Sequence, residues 1–126
     1  MYQTITTNIM VNDVKETMDF YHEVLEFEVV CSVPGSDEAL QFAILQKDQI
    51  SLMVQSKKSL IEEYESLATA HIHTCFTLFI TVDDVKEEYE QLRRKATLAK
   101  ELHETFYGKQ EFAVFDNNGN ILTISC

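Results

Sequence analysis

The chain has 126 residues, 45% of them hydrophobic and 25% charged, with three glycines, one proline and a formal net charge of −11. That length suits one domain with a core of its own, and so few turn-formers exclude a disordered or linker-rich chain. The negative balance disfavours nucleic acid and anionic membrane as partners and would draw in cationic molecules, though it also serves solubility.

The start, Met1-Tyr2-Gln3, has neither the basic flank nor the apolar stretch of a signal peptide, so none is expected. Ile5, Thr7, Ile9 and Val11 then alternate as in a strand. Asp13 stands at the head of a predicted helix with Glu16 three residues on, a reciprocal capping pair that also suits the helix dipole. Val14, Met18, Tyr21 and Leu25 follow at helical spacing. Strands are predicted at residues 27–33, 40–46 and 49–55, with turns at Pro34-Gly35-Ser36-Asp37 and Lys47-Asp48. Ser59, with Glu62 three residues on and Leu60, Tyr64 and Leu67 on one face, opens a further helix that reads as a packed connector.

The second half repeats the first. Val11-Asn12-Asp13-Val14-Lys15-Glu16 recurs as Val82-Asp83-Asp84-Val85-Lys86-Glu87, an offset of 82 − 11 = 71 residues. Thr77, Phe79, Thr81 and Val82 lead in as a strand, in the richest apolar run of the chain, residues 75–82. Thr77 and Thr81 break that run, and nothing approaches the roughly 20 apolar residues of a membrane span. Asp84 and Glu87 repeat the capping pair, and Val85, Tyr89, Leu92 and Ala96 repeat the helical stripe. Strands are predicted at 97–102, 111–115 and 120–125, with a turn at Asp116-Asn117-Asn118-Gly119. The class is α+β, a single domain with a βαβββ unit at 1–56, a connecting helix at 57–70 and a second βαβββ unit at 71–126.

Few residues carry obvious chemistry. His71, His73 and Cys75 alternate, so on a strand they would share a side with Thr77 and could offer ligands to zinc or nickel; surface histidines and a buried thiol are the plainer reading. Glu111 could bind a cation or act as a general base, or it could fix the neighbouring turn through backbone N–H groups. Phe106 and Tyr107-Gly108 could line a cleft. Ser51, Ser125 and Cys31 have no activating neighbour in sequence, and there is no glycine-rich phosphate loop. The three cysteines, Cys31, Cys75 and Cys126, have no motif spacing, which fits free thiols and a cytoplasmic location.

Three stretches resemble the glyoxalase, bleomycin-resistance and extradiol dioxygenase (vicinal oxygen chelate) superfamily. Val11-Asn12-Asp13-Val14 with Phe20-Tyr21-His22-Glu23-Val24-Leu25-Glu26-Phe27 resembles its opening, where a glycine is usual at the place of Glu26. Tyr107-Gly108-Lys109-Gln110-Glu111-Phe112-Ala113-Val114-Phe115-Asp116 resembles its aromatic-Gly, Arg-Glu-Phe, Asp-Pro stretch, and Asn118-Gly119-Asn120-Ile121-Leu122 its closing turn and strand. The resemblance implies two βαβββ units forming a paired half-barrel around a cleft, usually in a homodimer. It implies metal ligands on the first and last strands of each unit, positions that fall on Thr6, Ser51, Thr77 and Thr123, with Met53 replacing Ser51 if the register slips by two. A divalent metal needs imidazole, carboxylate or thiolate, so the metal site is expected to be absent and no cofactor is expected. The resemblance is then to the metal-free bleomycin-resistance branch. The expected function is to hold a small molecule or drug, a cationic one included, without chemistry, with Thr6, Asn8, Ser51, Met53, Thr77 and Thr123 lining the cleft and Tyr107 and Glu111 near its mouth. The alternatives are a lyase, isomerase or dioxygenase with ligands relocated to His73, Cys75 and Glu111, and a protein–protein interaction module.

Overall fold

The computed structural model describes residues 1–72 and 76–126, in which eight strands and three α-helices follow the order that the repeat implies. The chain divides into two compact units, Met1–Ile72 and His73–Cys126.

In the first unit, β1 (Asn8–Val11) leads through Asp13 into α1 (Val14–Leu25), followed by β2 (Glu28–Pro34), β3 (Leu40–Lys47) and β4 (Ile50–Ser56). The sheet order is β1-β4-β3-β2, with β1 parallel to β4 and the other pairs antiparallel. The strand begins later than its sequence alternation suggests: Thr7 still accepts a backbone bond from Met53 at 2.9 Å, but Ile5 is fully exposed. Asp13 is extended, and its Oδ1 accepts from the Glu16 N–H at 3.0 Å, satisfying a donor that a helix start leaves open. Glu16 returns no bond among the described residues. It stays exposed in the first turn, where its charge suits the dipole.

α1 covers the sheet face that carries Ile9, Val11, Ala43, Leu45, Leu52 and Val54. Its buried stripe is Val14, Thr17, Tyr21 and Leu25. Thr17 takes the place expected of Met18, because spacings of three and four residues keep the stripe narrow and leave Met18 at its half-buried flank. Tyr21 is fully buried, its ring edge-on to Phe27 at 5.5 Å. Burying a side chain of this size contributes roughly 1.5–3 kcal/mol. The helix ends on Glu26, at φ 61°. The N–H groups of Glu26 and Phe27 return to the carbonyls of His22 and Tyr21, and Lys47 Nζ donates to the Leu25 carbonyl at 2.8 Å. Three carbonyls at the helix end, those of Tyr21, His22 and Leu25, are thereby given donors.

The connector helix starts before Ser59. α2 spans Lys57–Glu63, and its cap is Ser56, whose Oγ accepts from the Ser59 N–H at 3.2 Å. The chain is extended at Tyr64 and then makes a 3₁₀ turn at Glu65–Leu67. The expected three-residue face therefore breaks up: Leu60 is buried and Tyr64 is exposed.

In the second unit, β5 (Thr77–Thr81) leads through Asp84 into α3 (Val85–Leu92), then β6 (Leu98–Glu104), β7 (Gln110–Phe115) and β8 (Ile121–Ser125). The order is β5-β8-β7-β6, with β5 parallel to β8 and the other pairs antiparallel. Asp84 repeats the cap, its Oδ1 accepting from the Glu87 N–H at 3.1 Å. α3 ends at Leu92, so Ala96 lies beyond it, and Val85 and Leu92 are its buried residues. It packs over Phe112, Val114, Leu122 and Ile124, with the Tyr89 ring 5.2 Å from Phe112. Among the described residues no helix is long and apolar enough to cross a membrane, and Cys31 and Cys126 are free thiols.

Candidate functional site

Each sheet has one face under its helix and one face turned away, and strand alternation decides which side chains stand on the second. In the first unit Asn8 pairs with Met53, Met53 with Ile44, and Ser51 with Gln46. Asn8, Ser51 and Met53 thus share the face opposite the buried Leu52 and Val54. Thr6 lies two residues ahead of β1 and is half-buried. The Asn8 side chain is engaged: Nδ2 donates to Gln55 Oε1 at 2.8 Å, and Gln55 Nε2 donates to Ser59 Oγ at 2.9 Å. This polar chain ties β1, β4 and α2 together. Gln55 escaped the sequence reading, although it continues the alternation of Ser51 and Met53.

In the second unit Thr123 pairs with Ala113 and Phe79, Thr77 with Ile121, and Glu111 with Ser125 on one side and His103 on the other. Phe112 faces α3, so Glu111, Thr123 and Thr77 share the opposite face. Thr77 is exposed at the start of β5, Thr123 is half-buried, and Glu111 is only 6% exposed.

Tyr107 comes from the β6–β7 turn. The Thr105 N–H bonds the Lys109 carbonyl at 2.7 Å, the Gly108 N–H bonds the Thr105 carbonyl at 3.1 Å, and Thr105 Oγ1 accepts from the Lys109 N–H at 3.0 Å. Gly108 supplies the φ of 81° that the turn requires. Tyr107 Oη donates to Glu111 Oε2 at 2.6 Å. Glu111 therefore binds a phenol rather than backbone N–H groups, and Thr105 is the side chain that holds the turn. The bond to Glu111 is the largest cause, followed by burial and the nearby charge, that lifts the Tyr107 phenol above its ordinary 10.0. Phe106 is fully exposed, with its ring edge-on to Tyr107 at 4.9 Å.

His103 was not singled out in the sequence. Its Nδ1 lies 2.8 Å from the Glu101 carbonyl, which can only accept, so Nδ1 carries a proton; Nε2 has no partner among the described residues, and whenever the ring is neutral it is an acceptor. The signal that would have found it is the β6–β7 register, which two bulge-like shifts make illegible from alternation alone.

The residues at the four positions where the resemblance implies ligands do not fit a divalent metal. Thr6, Ser51, Thr77 and Thr123 bring neutral hydroxyls, and no three His, Cys, Asp or Glu side chains gather as a metal group among the described residues. His73 and Cys75, the other relocated ligands, lie outside the described residues, and one oxygen of Glu111, Oε2, is engaged by Tyr107.

Residues 4–124 match the family model described as the Glyoxalase/Bleomycin resistance protein/Dioxygenase superfamily. No curated protein matches the chain. Among solved structures, TioX from Micromonospora sp. ML1 is 19% identical with a TM-score of 0.77, the alignment covering 98% of each chain. A glyoxalase-related enzyme from Fulvimarina pelagi is 19% identical with a TM-score of 0.79, covering 99% of this chain and 88% of that one. A glyoxalase/bleomycin resistance protein/dioxygenase family enzyme from Burkholderia phytofirmans PsJN is 21% identical with a TM-score of 0.74, covering 95% of this chain and 94% of that one. At these identities the likeness is one of fold.

Proposed function

The chain belongs to the glyoxalase/bleomycin resistance protein/dioxygenase superfamily, and from that premise we propose that it binds a small cationic molecule on its open sheet faces without metal chemistry. The observation that carries this reading is Glu111, a carboxylate 6% exposed on the face that α3 leaves uncovered and held there by a phenol. A buried carboxylate in a protein of net charge −11 offers a cation both long-range attraction and a short-range partner. Hydroxyls at the four ligand positions can donate or accept hydrogen bonds, but they supply no anchor for a divalent ion.

The same reading extends to assembly and location. Outer strands carry unpaired backbone groups, which suits a homodimer, and sedimentation at micromolar protein would show it. Free Cys31 and Cys126 suit a reducing cytoplasm.

The test begins with elemental analysis after exhaustive dialysis against nickel, zinc, iron and manganese, followed by calorimetric titration with cationic, neutral and anionic aromatic compounds. Binding of cations by metal-free protein, weakened about tenfold by Glu111→Gln, supports the reading. Near-stoichiometric retained metal overturns it and returns attention to His73 and Cys75.

A further inference from the structure

The register lays four polar side chains across the second sheet in one row: His103 on β6, Glu111 on β7, Ser125 on β8 and Thr81 on β5. Directly opposed residues of adjacent strands hold their Cβ atoms about 5 Å apart on the same face. This row is distinct from the strand positions of Thr77 and Thr123, and Ser125 is only 3% exposed.

Glu111 sets its chemistry. Tyr107 occupies Oε2, and Oε1 has no partner among the described residues. No buried side-chain N or O atom there lacks a hydrogen-bond partner, so Oε1 must reach solvent even though the residue as a whole is 6% exposed. The Ser125 hydroxyl is in the same position, buried as a residue with no bonded partner among those residues. On the other flank His103 has spent its Nδ1 proton on the Glu101 carbonyl, so in the neutral ring Nε2 is left as an acceptor. The register thus sets a carboxylate, an imidazole and a hydroxyl on neighbouring strands of one face, all able to accept when the imidazole is neutral. Such a set is matched by a group that carries positive charge and several N–H donors.

We propose that His103, Glu111 and Ser125 form a subsite for a nitrogen cation bearing N–H groups, a primary or secondary ammonium or a guanidinium, and that it discriminates against quaternary ammonium. This rests on the cation-binding reading above and specifies it. A quaternary ammonium keeps the charge but has nothing to donate, so Nε2 and the Ser125 hydroxyl would be desolvated without replacement bonds. Lys100 lies one row along, opposite Ala113, but it is exposed and its charge is screened by water and salt.

The experiment titrates isotope-labelled full-length protein, in mildly alkaline buffer, with 2-phenylethylammonium, its N,N,N-trimethyl analogue and the neutral 2-phenylethanol. The wild type, Glu111→Gln and His103→Gln are followed by amide and imidazole NMR signals. Tighter binding of the primary ammonium by about tenfold over the trimethyl analogue, with shifts centred on His103, Glu111 and Ser125 and a several-fold loss in each variant, supports the subsite. Glu111→Gln keeps the shape and the Tyr107 acceptor, and His103 lies on the outer strand, so one failure to fold leaves the other variant to decide. Equal affinity for the trimethyl analogue overturns donor recognition while cation binding stands. Binding that moves signals elsewhere overturns this location and again leaves the broader reading intact. If neither cation binds, the broader reading falls and this subsite with it.

Discussion

Tyr107 Oη donates to Glu111 Oε2 across 2.6 Å, from an exposed turn to a carboxylate sunk in the sheet. The bond stabilises the neutral phenol, which is why Tyr107 titrates above 10.0. Because the folded value is raised, the stability it contributes is present below 10.0 and is lost as pH rises through the higher folded value. Ultraviolet titration of wild type and Glu111→Gln checks this. The variant keeps an acceptor without the charge, so one tyrosine should return towards 10.0. Superimposable titrations would show that the Glu111 charge does not act on the phenol in solution.

Glu26 closes α1 at φ 61°, a conformation that glycine adopts freely and that costs other residues about 1–2 kcal/mol. Glu26→Gly relieves that strain. It also loosens the unfolded chain by up to about 1 kcal/mol and gives up an exposed 3.7 Å ion pair with Lys47 that is worth little. The net expectation is a gain of about 0.5 kcal/mol in urea denaturation. A loss would mean that the Lys47 contact outweighs the backbone.

Asp13 and Asp84 cap their helices with matching 3.0 and 3.1 Å bonds, 71 residues apart. Alanine at either position should cost about 1 kcal/mol, and the two losses should add, because each cap serves its own helix. Thermal unfolding of both single variants and the double variant tests additivity. A much larger loss in the double variant would reveal coupling between the caps.

These caps explain why so much of the fold was legible. A helix start is a local event, written in Asp13-Val14-Lys15-Glu16 and again in Asp84-Val85-Lys86-Glu87, and the repeat fixed the two βαβββ units. Strand turns such as Asp116 to Gly119 are local too: Asp116 Oδ1 accepts from the Asn118 and Asn120 N–H groups at 2.8 and 2.9 Å. The helix start expected at Ser59 lies two residues late, against the bound of 57 that the connecting segment was also given, because Ser56 and Ser59 are both plausible caps and only the end of β4 chooses between them. The site was half legible. The resemblance implied Asn8, Ser51, Met53, Thr77, Thr123 and Glu111, and the strand register sets the first three on one face and the last three on another. His103 and Gln55 were missed, because what gives them meaning is a partner on another strand, 8 and 47 residues away in sequence respectively.

Leu45 and Met53 test whether the open face is truly open. Leu45 on β3 is fully buried beneath α1, whereas Met53 on β4 stands on the opposite side, partly exposed beside Asn8 and Ile44. Truncating a sealed leucine removes its transfer energy and leaves a cavity, so Leu45→Ala should cost about 2–5 kcal/mol. Met53→Ala removes a side chain that water already reaches, and it should cost no more than about 1 kcal/mol. Chemical denaturation at several protein concentrations measures both. If Met53→Ala approaches Leu45→Ala in cost, and does so increasingly as concentration rises, a second copy of the chain covers this face. A small, concentration-independent cost leaves the face free for a ligand.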